Sequence, residues 1–232
     1  MAAERFYLET GQKKVVAASV AWPGWCRIAR DERAALGTLV DYGPRYGRVV
    51  EAADLGFEVP SGPESLTIVE RVAGGSGTDY GAPSVVLSGD YEPVDAREHE
   101  RLQALLAAYW AAFDRAVVAA AGKTLRKGPR GGGREVAAIV EHVVDSESGY
   151  LKVLGWTAEP AAKRASGQDT LVHHRQQILA GLAAAVAGKT ESVGPRGGKR
   201  WPPRYFVRRV GWHVLDHLWE IEDRVIDNPL PL

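Results

Sequence analysis

His213 and His217 stand four residues apart in the stretch Arg204–Arg224, RYFVRRVGWHVLDHLWEIEDR. In a helix that spacing puts two imidazoles on one face, one turn apart. Phe206, Val210, Ile221 and Val225 fall on the same stripe, so both rings are expected to face the interior. Two buried neutral imidazoles need partners for their ring nitrogens. A divalent metal ion is one such partner; hydrogen bonds within the core are the other. A third histidine, His142, lies eight residues beyond Arg134, and His213 lies nine beyond Arg204. Each follows a loop containing GPRGG, at 128–132 and again at 194–198. At ~1.5 Å per residue, both rings sit roughly 12–14 Å into their helices. If those helices run parallel in an up-down-up-down bundle, His142, His213 and His217 converge at one depth. Three neutral imidazoles leave a coordination position open, as catalytic rather than structural metal sites do. Imidazole suits zinc, nickel, iron and copper alike, with zinc or nickel the first expectation.

Other polar residues near this constellation have competing readings. Val214 stands where the HExxH motif of metalloproteases carries its general-base glutamate, which argues against peptide hydrolysis by that route. Glu220, three residues after His217, is an acceptor that orients a ligand, a fourth ligand itself or, as the first expectation, a solvated surface charge. Asp145 and Ser146, three and four residues after His142, have the same two readings. His174, between Leu171 and Ile178, is the one further histidine with access to the interior, whereas His99 reads as surface. Arg130, Arg134, Arg196, Lys199 and Arg204 belong to the two basic loops, which the parallel arrangement would bring to one end of the bundle. Beside two helix N-termini they would cradle a carboxylate or phosphate; otherwise they are solvated loops. Trp212, adjacent to His213, could wall a pocket. Cys26 has no histidine nearby and reads as a small buried hydrophobe.

The elements that must position these residues are legible from periodicity and punctuation. Four helical segments, about 96–121, 134–154, 169–188 and 204–225, make an all-α four-helix bundle the expectation for 95–232. Asp169 is the expected cap of the third, and Pro202-Pro203 leads into the fourth. Upstream, Arg5–Glu9, Val15–Trp22, Trp25–Ala29 and Leu66–Val72 read as strands, with a helix from Asp31 to Asp54 interrupted at Gly43-Pro44. That order is a small β-β-β-α-β module over 1–73, an α+β layer. Residues 74–94, rich in Gly, Ser, Pro and Asp, read as a linker. The chain of 232 residues balances 29 Lys/Arg against 29 Asp/Glu, which argues against a general nucleic-acid or membrane-surface binder. One cysteine, no apparent signal segment and only short apolar runs give a cytoplasmic soluble protein as the expectation.

Two resemblances follow from particular residues. EVAAIVEHVVDSE at 135–147, a long gap and WHVLDH at 212–217 resemble the DinB/YfiT-like superfamily. That resemblance covers roughly 95–226. It implies a four-helix bundle in which His142, His213 and His217 bind a divalent metal. The activity it implies is a thiol-dependent S-transferase with a small thiol such as mycothiol or bacillithiol, acting on a small-molecule substrate. A metal-dependent hydrolase is the alternative. A binding or regulatory protein with a structural or vestigial metal is the third. WPGWC at 22–26 followed by DERAAL at 31–36 resembles the HicB-like antitoxin domain, with Trp25 inserted before Cys26. It implies an interaction module over residues 5–73, through which a protein partner would bind.

Overall fold

The computed structural model describes residues 5–127, 133–161, 166–195 and 197–226. The protein is a mixed α/β chain in which a small N-terminal sheet is followed by helices. Strands β1 (Arg5–Thr10), β2 (Val15–Ser19), β3 (Cys26–Ala29) and β4 (Thr67–Ala73) form one sheet in the order β3-β2-β1-β4. β2 lies antiparallel to both β1 and β3, and β4 runs parallel to β1. Every residue of β2 is buried. A continuous apolar run of this kind marks a strand covered on both faces. On one face Phe6, Leu8, Val15 and Ala17 join the main core; on the other Tyr7, Val16, Ala18 and Cys26 pack with Leu87 and Trp212.

Asp31 caps α1 (Glu32–Asp41) by accepting from the Ala34 N–H at 2.8 Å, and Gly43-Pro44 ends that helix and opens α2 (Gly43–Val50), as the proline predicts. Trp25, the insertion in the WPGWC segment, is fully buried. It stacks on Tyr46 with centroids 5.5 Å apart and donates its indole N–H to the Leu39 carbonyl at 3.2 Å. Gly24 has φ +97°, and a Cβ there would lie 2.9 Å from the Gly211 backbone. A Cβ on Gly211 would in turn meet the Tyr109 ring at 2.8 Å and the Pro23 carbonyl at 3.1 Å. Two glycines thus let the turn after β2 lie directly on the last helix, two residues before His213.

The expected linker is packed rather than free. It contains the short helix α3 (Ser76–Tyr80). The wholly buried Glu9 carboxylate of β1 accepts from the Thr78 and Ser84 hydroxyls and from the Ser84 and Val85 N–H groups. Asp90 forms a buried ion pair with Arg208. A single buried apolar cluster runs from Phe6 and Trp25 through Leu105 and Tyr109 to Phe206 and Leu218, joining the residues before and after 74–94.

Four long helices follow: α4 (Ala96–Ala119), α5 (Val136–Leu154), α6 (Gly167–Val186) and α7 (Pro203–Arg224). Asp95 caps α4, and Ser166 caps α6 through a capping box in which Asp169 is the reciprocal partner rather than the cap. Pro202 and Pro203 open α7 as expected. α7 is buried nearly all round, touching α4, α5, α6 and the sheet.

Helix directions depart from the up-down-up-down expectation. Trp201 N–H donates to the Val153 carbonyl, so the start of α7 lies at the end of α5. At the other end β5 (Thr124–Leu125) pairs with β6 (Val225–Ile226), and Arg126 N–H donates to the Arg224 carbonyl. α5 therefore runs antiparallel to α7. α5 and α6 run parallel, since Glu147 meets His174 and Leu151 meets Gly181. The order is up-down-down-up, and Glu159, five residues past the end of α5, already lies beside Gln177 and His173 of α6. Among the described residues no helix is long and apolar enough to cross a membrane.

Candidate metal centre

The antiparallel pairing brings the three histidines together. His142 lies six residues after Val136, ~9 Å into α5, while His217 lies seven before Arg224, ~10 Å from the end of α7. Because the start of α5 meets the end of α7, these depths coincide. His142, His213 and His217 offer ligand atoms within 4.8 Å of one another, the only such group of three among the described residues. Ring centroids are 5.0 Å apart for His142–His213, 4.9 Å for His142–His217 and 4.6 Å for His213–His217. The Nε2 atoms of His142 and His213 face each other at 3.2 Å. Two imidazole nitrogens bound at ~2.0–2.1 Å to one tetrahedral ion are roughly 3.3 Å apart, so this pair already has a ligand-like separation.

Protonation favours the same use. Burial, then the neighbouring His217 and His142, push the His213 pKa down to about 2. Burial also lowers that of His142, with further contributions from Arg134 and His217. Both rings are neutral at pH 7 and keep the lone pair that ligation needs. Glu220 Oε2 accepts a hydrogen bond from His217 Nδ1 at 2.7 Å, which leaves Nε2 of that ring without a proton. Arg224 Nη1 holds the other Glu220 oxygen at 2.6 Å, and the hydrogen bond with His217 leads the causes that lower the Glu220 pKa. A carboxylate fixing an imidazole in this way is the usual support behind a metal-binding histidine.

The remaining expected residues divide. Asp145 is exposed and acts on His142 through its charge, with no hydrogen bond to it among the described residues. Arg134 is exposed, and its positive charge acts on both His142 and His213. Arg204 is no anion ligand: its guanidinium binds Glu98 and the carbonyls of Gly89, Glu92 and Pro93, clamping α7 to α4 and the preceding segment. Lys199 lies exposed in the loop before α7, at the far end of that helix from His217. Arg130, Arg196 and the first GPRGG loop lie outside the described residues. The residues flanking the two loops sit at opposite ends of α7, Gly133 beside Arg224 and Arg200 beside Lys152. The single two-loop cradle is therefore not formed, because it required α5 and α7 to be parallel.

Trp212 does line the site, with its ring 5.6 Å from His213, and Tyr150 lies 5.9 Å from the same ring. Val214 is wholly buried, so no general base stands at that position. Burial pushes the Cys26 thiol up to about 12, as suits an inert core cysteine. His174 does not join the triad. Its Nε2 lies 2.9 Å from Glu147, whose other oxygen accepts from Trp110 Nε1 at 2.7 Å. Sequence reasoning passed over Glu147, although it interrupts the buried stripe Val143–Leu151 at helical spacing; a carboxylate there requires partners. Comparison with protein-family models, with curated proteins and with solved structures finds no match.

Proposed function

We propose that the four long helices form a DinB-like four-helix bundle and that the protein is a divalent-metal-dependent enzyme. Its proposed activity is S-transfer in which a low-molecular-weight thiol such as mycothiol or bacillithiol gives up its S–H proton and is joined whole, through sulfur, to an electrophilic small molecule. The observation that carries the metal site is the convergence of His142, His213 and His217 with Glu220 fixed behind His217. When bound, a divalent ion supplies Lewis acidity that lowers the pKa of a thiol or water at neutral pH. The chain's own residues prepare for it. Burial keeps His213 uncharged, Glu220 holds the Nδ1–H tautomer of His217, and Arg224 keeps Glu220 in place. Among the described residues neither His174 nor Glu220 supplies a fourth ligand, since His174 is engaged by Glu147 and Glu220 meets His217 at Nδ1. An open position favours catalysis over a purely structural ion.

Strands β1 and β2 are covered on both faces within the chain, while edge strand β4 alternates exposed and half-buried residues, and we assign the covered part of the layer to supporting α7. The test is elemental analysis of protein purified without chelator or affinity metal. Wild type is expected to hold about one divalent ion per chain, and His142→Ala and His217→Ala to lose it. Conjugation of an electrophile that requires added thiol then supports the transferase, whereas turnover without thiol supports the hydrolase. A wild type that takes up no metal even on reconstitution overturns both.

A further inference from the structure

Arg209 stands one helical turn before His213 on α7. Arg45 meets Glu222, Arg175 meets Asp114, Arg204 meets Glu98, Arg208 meets Asp90 and Arg224 meets Glu220, whereas Arg27, Arg101 and Arg200 hydrogen-bond only backbone carbonyls among the described residues. Arg209 has no carboxylate partner among the described residues. Of the five N–H donors of a guanidinium, it uses one on the Pro83 carbonyl at 3.1 Å and one, at a long 3.4 Å, on the Tyr150 hydroxyl. Its Nε is enclosed with no acceptor among the described residues. The guanidinium carbon sits 4.8 Å from the Trp212 ring, 5.3 Å from Tyr150 and 5.8 Å from Trp201. Trp212 and Tyr150 are the rings that also flank His213.

We propose that Arg209 is the anchor for the carboxylate of a ligand whose other end reaches the three-histidine centre, with Trp212, Tyr150 and Trp201 as walls. This rests on the metal-site assignment above. A guanidinium with donors to spare, held between aromatic rings, matches a planar two-oxygen anion better than any neutral group. The rings restrict water around the charge and so strengthen its attraction for an anion. Arg209 and His213 leave α7 one turn apart, ~6 Å along its axis, and Trp212 and Tyr150 flank both groups, which favours a short chain between the carboxylate and the metal-binding atom. The ligand class is therefore a small thiol or substrate bearing a carboxylate a few bonds from its reacting group.

The test uses the full chain loaded with cobalt(II). Mercaptoacetate, 3-mercaptopropionate and 4-mercaptobutyrate are each titrated against the corresponding amide, following sulfur-to-cobalt absorbance. At least one carboxylate is expected to bind roughly tenfold or more tightly than its amide, as a charge-assisted bidentate contact implies. Arg209→Gln should abolish that preference while leaving cobalt content and amide affinity unchanged. If that variant fails to hold cobalt, Arg209→Lys takes its place, and the loss of the fork should still cut the preference severalfold. Equal wild-type affinities across the series, or a preference that survives substitution, overturn the inference alone. A wild type that takes up no cobalt overturns the metal assignment and this inference with it.

Discussion

Glu220 shows how much one side chain adds to a histidine cluster. Its carboxylate decides which nitrogen of His217 carries the proton, and so which nitrogen is free. Glu220→Gln is expected to weaken metal binding ~10–100-fold without unfolding the protein, measurable by competition with a chromophoric chelator. His213 makes a second prediction at this scale. Its pKa falls from about 6.5 in the unfolded chain to about 2 in the folded one, so below pH 6.5 the unfolded state binds more protons. The stability linked to a neutral His213 is thus complete above pH 6.5 and lost as pH falls. Metal-free protein should lose about 1 kcal/mol between pH 7 and 5.5 in urea titrations. His213→Gln should flatten that dependence; a slope that survives the substitution assigns it to other groups.

At the scale of elements, the contact that matters most is backbone against backbone. The Pro23-Gly24 turn lies on α7 at Gly211, under the Tyr109 ring, whose hydroxyl binds Tyr46 at 2.7 Å and donates to the Pro23 carbonyl. Gly211→Ala forces these apart and should cost about 1–3 kcal/mol, read as a fall in Tm. The same strain lies two residues from His213, so weaker metal binding is expected alongside it. Glu147→Ala provides the contrast. It strands the Trp110 indole N–H and His174 inside the α4-α5-α6 contact, at about 1–3 kcal/mol for each buried group left without a partner. Metal content should not change, because neither residue touches the triad.

For the whole molecule, the segment between sheet and long helices does the joining. The Arg208–Asp90 pair is buried on both sides, and Glu9 gathers the loop at 78–85 onto β1. Asp90→Ala leaves the Arg208 charge buried and unpaired, at about 3–5 kcal/mol, and equilibrium unfolding should show one destabilised transition rather than two. Two separate transitions in wild type would instead mean that 1–73 and 95–232 fold independently. One core threading both parts makes the single transition the expected result.

The sequence by itself determined much of the local structure. Apolar periodicity marked the four long helices to within about two residues at most ends. Proline and Asp31 placed the breaks in the N-terminal helix, and histidine spacing singled out the triad. These are consequences of neighbours within one turn or one strand, where residue type and spacing suffice. Helix direction was not legible, because a periodic stripe reads the same whichever way its helix runs. Tertiary structure decided it, through a short β5–β6 pairing and the Trp201–Val153 bond. That one choice joined the three histidines by matching a helix start to a helix end, and it placed the residues flanking the two basic loops at opposite ends. The partners of Glu147, Arg204 and Arg208 likewise depend on residues 27 to 118 positions away, which only packing brings into reach.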